Sequence, residues 1–302
     1  MIHPARPCLW FVSKNPSNRG LGYSKCFFAI ALLRNFIQEL RVKAISYGLL
    51  FCLVFQMHAA EPLIVAHRGA SFDAPENTLP AFELAWKRGA DAVEGDFLLS
   101  KDGHIVCVHD KKTKKVADQN LEVVTSTLKE LQALDVGSRK DDKFRGTRIP
   151  TLPEVFATVP KGKKIFVEVK CGPEIIPALT REIDRSGLTH DQIVLICFNA
   201  EVIRKFKKVK PKHKAYWLCS FRKKKGVLTP DLKTIMDTLK STGADGLDSH
   251  FSIPEEFSQA VLDAGYEWHT WTVNDPEKAK ELVQRGVHSI TTDRPGFLRD
   301  AL

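Results

Sequence analysis

Glu94 and Asp96 lie two residues apart inside the otherwise apolar run DAVEGDFLL (91–99), and Glu168 and Lys170 repeat that spacing in KIFVEVK (164–170). Residues i and i+2 of a strand point to one face, so each run presents its charges together. Carboxylates set that deep among apolar residues are costly unless they are paired or bound to a cation. Glu94, Asp96 and Glu168 together offer only oxygen. That suits one hard divalent cation, Ca2+ or Mg2+, rather than zinc or copper. Any one of these acids alone would read more simply as a salt-bridge partner. The metal reading rests on their convergence with two histidines at strand ends, His67 and His109, and with Arg68 and Lys170. His104, near a turn, and His213, in a lysine-rich loop, read as solvent-exposed, while His250 and His269 stay open.

The elements that must position these groups are visible as eight short runs rich in Val and Ile: LIVAH (63–67), DAVEGDFLL (91–99), KIFVEVK (164–170), QIVLICF (192–198), AYWLC (215–219), DGLDSH (245–250), YEWHTWTV (266–273) and HSITTD (288–293). Helical stretches separate most of them, which is the pattern of a parallel α/β protein. Eight strands favour closure into a (β/α)8 TIM barrel. In LPAFELAWKRG, Leu79, Phe82 and Trp86 share a helix face and Gly89 ends it. Asp275 is placed to cap a second helix that starts at Pro276 and stops at Gly286. One stretch breaks the alternation. After the turn at 101–103, IVCVH (105–109) reads as a hairpin return from the second strand, and residues 110–150 form a small insertion with one helix at 126–134. In a barrel the candidate residues would share the C-terminal rim of the strands, where barrel active sites lie.

The bulk numbers agree with a folded enzyme-sized unit: 302 residues, 43% hydrophobic and 27% charged. The net charge of +9 is concentrated in the first sixty residues, which hold seven Lys or Arg against the single acid Glu39. The rest carries 38 basic against 35 acidic residues, too even a balance for a nucleic-acid footprint. Within those sixty, RVK precedes the apolar run AISYGLLFCLVFQM (44–57), and small residues follow before Glu61. This is the layout of a signal peptide, with cleavage after Ala60 and export of residues 61–302 to the periplasm or the extracellular space. The 43 residues ahead of the apolar run are long for such a segment. The four later cysteines show no CxxC spacing, and no disulfide is expected.

In order and spacing, HRGA (67–70), PENT (75–78), EGD (94–96), HD (109–110), IPTLPEV (149–155), VEVK (167–170), WTVND (271–275) and ITTDRP (290–295) resemble the glycerophosphodiester phosphodiesterase family over residues 62–300. The resemblance implies a (β/α)8 barrel that hydrolyses small glycerophosphodiesters to sn-glycerol 3-phosphate and an alcohol. It assigns Glu94, Asp96 and Glu168 to one divalent cation, and His67 and His109 to general acid and base work. Arg68 and Lys170 would hold the phosphate, and Trp271 would pack against glycerol. It also implies attack on phosphorus by the neighbouring glycerol hydroxyl, through a cyclic phosphate that water opens. The chain departs from the family pattern after HD, where it reads KKTKKVADQN (111–120), a change in the loop over the leaving alcohol. Two other readings keep the barrel: a phospholipase D-like enzyme acting on intact lipid, and a non-catalytic module that binds phosphoglycerol. An exported basic protein is also compatible with weak contact at a membrane surface.

Overall fold

In chain order the strands are β1 (Leu63–Ala66), β2 (Ala92–Leu99), β3 (Ile105–Cys107), β4 (Lys164–Val169), β5 (Ile193–Cys197), β6 (Lys214–Cys219), β7 (Arg222–Lys224), β8 (Val227–Thr229), β9 (Gly246–His250), β10 (Glu267–Trp271) and β11 (Ser289–Thr292). They come from a computed structural model that describes residues 61–302 other than Lys225. The expected export segment, residues 1–60, lies outside the described residues. Eight of the strands pair in parallel in the order β1, β2, β4, β5, β6, β9, β10, β11, and β11 returns to β1 with Leu63 opposite Ser289. The sheet is therefore a closed (β/α)8 barrel, and its eight strands are the eight apolar runs of the sequence.

Period-two alternation decides which residues fill the barrel and which face the helices. Val65, Ala92, Phe166, Val194, Ile196, Tyr216 and Leu218 pack inside it. Their neighbours Ile64, Val93, Ile165, Val167, Ile193 and Leu195 join the layer beneath the helices. On β2 the inward set continues from Ala92 to Glu94 and Asp96, and on β4 it continues from Phe166 to Glu168. Gly95, between the two acids, faces outward, where an added Cβ would lie 3.1 Å from the ring of Phe82. Phe82 belongs to α1 (Leu79–Lys87) and is fully buried. A side chain at 95 would require Phe82, Cys107 and Phe97 to give way by a few tenths of an ångström beside the strand that carries the acids.

The remaining helices are α2 (Leu128–Gln132), α3 (Leu152–Phe156), α4 (Ile176–Arg185), α5 (Ala200–Val209), α6 (Leu232–Thr242), α7 (Glu255–Asp263), α8 (Pro276–Gln284) and α9 (Pro295–Ala301). Asp275 caps α8 as the sequence implies, accepting from the Glu277 amide at 3.0 Å. Among the described residues no helix is long and apolar enough to cross a membrane.

Two features differ from expectation. The lysine-rich stretch after β6 forms the antiparallel hairpin β7–β8, with Arg222 opposite Thr229. Its charged residues carry no apolar period that could announce a strand. His213 is half-buried rather than exposed, with its ring edge-on to Phe206 at 5.9 Å.

The insertion lies where the sequence puts it, after β3. It holds turns of 3-10 helix and α2, which starts with a Thr127–Glu130 capping box. It has a small core of its own, in which Leu131, Leu134, Val136 and Ile149 pack on Leu98, Val106 and Val108 of the β2–β3 hairpin. Lys140 reaches back to the Ser71 carbonyl at 2.8 Å, so the insertion flanks the loop after β1 at the barrel's C-terminal rim.

Candidate active site

The loop after β1 turns sharply to place its polar side chains. Arg68 and Asn77 both take left-handed backbone angles, φ 56° and 60°. Such angles are uncommon outside glycine and persist where surrounding bonds hold them. Here the Asn77 amide donates to the Arg68 carbonyl at 3.0 Å, and the Arg68 amide donates to Glu94 Oε2 at 2.9 Å. Gly69 has φ 81°, and a Cβ on it would sit 2.5 Å from the backbone of Ala81, so only glycine fits.

Asp96 and Glu168 are register partners on adjacent strands, and Glu94 lies one inward position below Asp96. The three carboxylates approach so closely that one oxygen of each lies within 4.8 Å of the others. Asn77 fixes Asp96 from both sides, donating to Oδ2 at 2.8 Å and accepting from the Asp96 amide at 3.0 Å. Arg68 Nε lies 3.1 Å from Asp96 Oδ2, and its Nη1 donates to Glu76 at 3.0 Å. Lys170 donates to Glu168 Oε1 at 2.7 Å.

Burial, followed by the fields of Asp96 and Glu168, pushes the Glu94 carboxyl well above the usual carboxylate range. Burial and the Asp96 charge likewise raise Glu168 to about 7, against the pull of Lys170. Burial opposes ionisation at Asp96 too, but Arg68, Lys170, His109 and Asn77 outweigh it and hold that carboxyl low. Three acids thus face two cationic side chains, and Glu94 Oε1 and Asp96 Oδ1 are buried with no hydrogen-bond partner. Orphaned oxygens in an all-oxygen cluster are what a hard divalent cation requires, so the residues fit such an ion.

Both histidines line the same cleft as the acids. His67, just past β1, donates from Nδ1 to Asp293 at 2.6 Å, and Asp293 is itself braced by Ser71 and Asn274. Burial works against the Asp293 charge, but His67, Asn274 and Ser71 hold its carboxyl down to about 2. His109 owes its position to the length of β2. Leu98 and Leu99 run on past Asp96 to pair with β3, which descends until the Val108 amide meets the Asp96 carbonyl at 2.9 Å. His109 Nδ1 is bound to Asp110 at 2.6 Å, and its Nε2 lies 3.2 Å from Lys170 Nζ. Burial and then the neighbouring Arg68 and Lys170 charges lower its pKa despite Asp96, which favours the neutral ring.

The cleft has a volume of about 200 Å³, and beyond the charged groups it is lined by Ile196, Phe198, Leu218, Asp248 and Trp271. Trp271 stands edge-on to Phe198 at 5.7 Å and to His250 at 5.5 Å. The structure therefore brings His67, His109, Arg68, Lys170, Trp271, Glu94, Asp96 and Glu168 together in one place. His104 is exposed, as read from the sequence. Of the two open histidines, His250 sits at the rim beside Trp271. His269 is buried inside the barrel, stacked on Tyr216 at 3.9 Å and bound to Ser289 at 2.7 Å.

Sequence reasoning missed Asp293, Asp110, Asn77 and Asp248. Asn77, Asp110 and Asp293 lie inside the quoted motifs PENT, HD and ITTDRP. Asp248 carried the same signal as Glu94, an acid within a strand-like run.

Closed barrel, rim cleft, clustered acids and carboxylate-held imidazoles define a (β/α)8 barrel with an acid–base site beside a cation cradle. The model of the glycerophosphoryl diester phosphodiesterase family matches residues 67–297. The chain is similar to a glycerophosphodiester phosphodiesterase of Caldanaerobacter subterraneus subsp. tengcongensis, 32% identical over 242 residues that cover 78% of this chain and 96% of that protein. Among solved structures it is similar to an Oleispira antarctica phosphodiesterase in complex with the product sn-glycerol-3-phosphate, with a TM-score of 0.72, 27% identity, and 80% of this chain and 96% of that one covered. The fold is shared with a Thermotoga maritima glycerophosphodiester phosphodiesterase, with a TM-score of 0.66, 24% identity, and 81% of this chain and all of that one covered (100%). The chain belongs to the glycerophosphodiester phosphodiesterase family.

Proposed function

We propose that this protein hydrolyses glycerophosphodiesters to sn-glycerol 3-phosphate and an alcohol, with His67 and His109 as its acid–base pair. The observation that carries the proposal is the convergence of three buried carboxylates and two carboxylate-held imidazoles on one cleft. A divalent cation, Ca2+ or Mg2+, held by Glu94, Asp96 and Glu168 would neutralise charge that grows on the phosphoryl oxygens. Arg68 and Lys170 add positive charge at the same mouth and favour the transition state over the singly charged diester.

His109, kept neutral and turned by Asp110, takes the proton from the glycerol hydroxyl next to the ester. That oxygen bonds to phosphorus as the bond to the leaving alcohol breaks, and His67 supplies the proton the alcohol needs. Water then opens the cyclic phosphate with the two roles exchanged, His67 receiving a proton from water and His109 returning one to the glycerol oxygen. Asp293 and Asp110 keep each ring turned with Nε2 toward the cleft, where His109 Nε2 exchanges its contact with Lys170 Nζ, at 3.2 Å, for the substrate hydroxyl. Trp271 and Phe198 offer an apolar wall to the carbon chain of glycerol.

Two further readings belong to the same proposal. The basic flank and apolar run in residues 41–57 support export of the chain, which cell fractionation would test. The exposed Arg222 and Lys223 of the β7–β8 hairpin support weak contact with an anionic membrane surface.

The deciding assay supplies soluble glycerophosphocholine, micellar lysophosphatidylcholine and a phosphodiester without a neighbouring hydroxyl. Release of sn-glycerol 3-phosphate from the first, with the third turned over poorly, is expected. Faster release of choline from the micellar lipid would favour the phospholipase D-like reading. Rapid cleavage of the third compound would exclude the cyclic route.

A further inference from the structure

Among the described residues the barrel strands carry two other acids, and they differ in a telling way. Glu267 is fully engaged: the Tyr216 hydroxyl donates to it at 2.5 Å, Lys214 lies at 2.8 Å and His269 at 3.5 Å. Asp248, on β9, is 1% exposed and its Oδ1 is buried with no hydrogen-bond partner. A buried polar atom left unpaired costs free energy, and such groups in folded proteins are nearly always satisfied. Asp248 also lines the cleft. Its missing partner must then come from whatever occupies that space.

The surroundings narrow the chemistry of that partner. Arg68 and Lys170, the groups that attract a phosphate, follow β1 and β4, and two strands, β5 and β6, separate β4 from β9. Burial, and after it the Glu168 charge, push the Asp248 carboxyl well above the usual carboxylate range, which favours a neutral acid and a neutral partner at this wall. Next to Asp248 the cleft is lined by its register partner Leu218 and by Trp271, whose indole donates to the Asp248 carbonyl at 3.3 Å, and these suit carbon rather than charge. A diester whose phosphorus sits at the cationic side would carry its short carbon chain across the mouth toward β9. What the wall fits is a chain of a few carbons ending in a neutral group able to both donate and accept a hydrogen bond.

We propose that Asp248 reads the terminal hydroxyl of the glycerol moiety, and so sets the preference for glycerol over shorter or deoxygenated diols. This assignment rests on the proposed phosphodiesterase activity and adds to it a residue that determines specificity. A site built to hydrogen-bond a hydroxyl rejects analogues that lack it, because its own buried group is then left unpaired.

The test compares two substrates with the same ethanol leaving group, the sn-glycerol 3-phosphate ethyl diester and the propane-1,2-diol 1-phosphate ethyl diester of matching configuration. Both keep the hydroxyl next to the ester, and they differ only in the terminal one. For the unmodified protein, kcat/KM is expected to favour the glycerol compound by at least about tenfold, the scale of a buried group left unpaired. Asp248→Leu should bring the ratio to within about threefold of one by lowering the rate on the glycerol compound alone, and Asp248→Asn should retain most of the preference. An unmodified protein that cleaves both compounds equally well overturns the assignment without any variant. So does an Asp248→Leu protein that slows both equally. Failure to cleave either compound would instead overturn the phosphodiesterase reading, and the assignment with it.

Discussion

Asn77 shows how much of the site depends on residues that never meet the substrate. Its side-chain amide grips Asp96 through two hydrogen bonds, and Cys107 adds a contact to Asn77 Oδ1 at 3.3 Å. Outer partners of this kind orient ligands and typically contribute 10–100-fold to affinity or activity. Asn77→Ala should therefore lower cation affinity and kcat/KM by roughly 10–100-fold with the barrel still folded. Rate measurements alongside circular dichroism check this, and a change under about threefold would show that Asp96 needs no such clamp. The sequence marked PENT as a motif but could not give Asn77 this role, because its partner lies 19 residues away on another element. The same holds for Asp293, which is 226 residues from the histidine it holds. Glu94, Asp96 and Glu168 were legible because burying a charge in a strand is costly wherever the strand ends up.

The strands of the barrel were legible for a comparable reason. Each is a short Val- and Ile-rich run whose alternation encodes an inside and an outside, as Val65 against Ile64 shows. The β7–β8 hairpin was not, since Arg222 and Lys223 bury nothing that would impose a period. The β2–β3 hairpin and its insertion act as one lever on His109, because Val106 and Val108 hold the descending strand against Leu131. Leu131 is fully buried, and Leu→Ala at such a site costs about 2–5 kcal/mol. Leu131→Ala should lower stability by that amount and also reduce kcat, although the residue lies in the insertion rather than in the cleft. Urea unfolding and a rate measured well below the melting point separate the two effects. An unchanged kcat would mean that β3 holds its place without the insertion.

Across the whole molecule, the two ends of the barrel use charge in opposite ways. Tyr216 and Lys214 engage Glu267 directly with His269 3.5 Å away, and burial notwithstanding, those neighbours hold the Glu267 carboxyl far below its usual range. At the C-terminal rim Asp96 is held low by its cationic neighbours, but burial and the crowding of like charges raise Glu94 and Glu168 instead. A carboxyl lifted from 4.5 to about 7, as Glu168 is, binds its proton more tightly in the folded state. Without a cation, stability should therefore fall as pH rises from about 4.5 through about 7. A divalent ion competes with that proton, so its affinity should climb over the same window, by up to roughly tenfold per pH unit for each proton displaced.

The most direct measurement is a titration of Ca2+ and of Mg2+ into chelator-treated protein at pH 5, 6, 7 and 8, followed by calorimetry and, in the same samples, by sn-glycerol 3-phosphate release. The account predicts one site whose affinity rises with pH, is lost in Glu168→Gln, and returns activity in step with occupancy. Full activity in chelator-treated protein, or binding unaffected by Glu168→Gln, would contradict it.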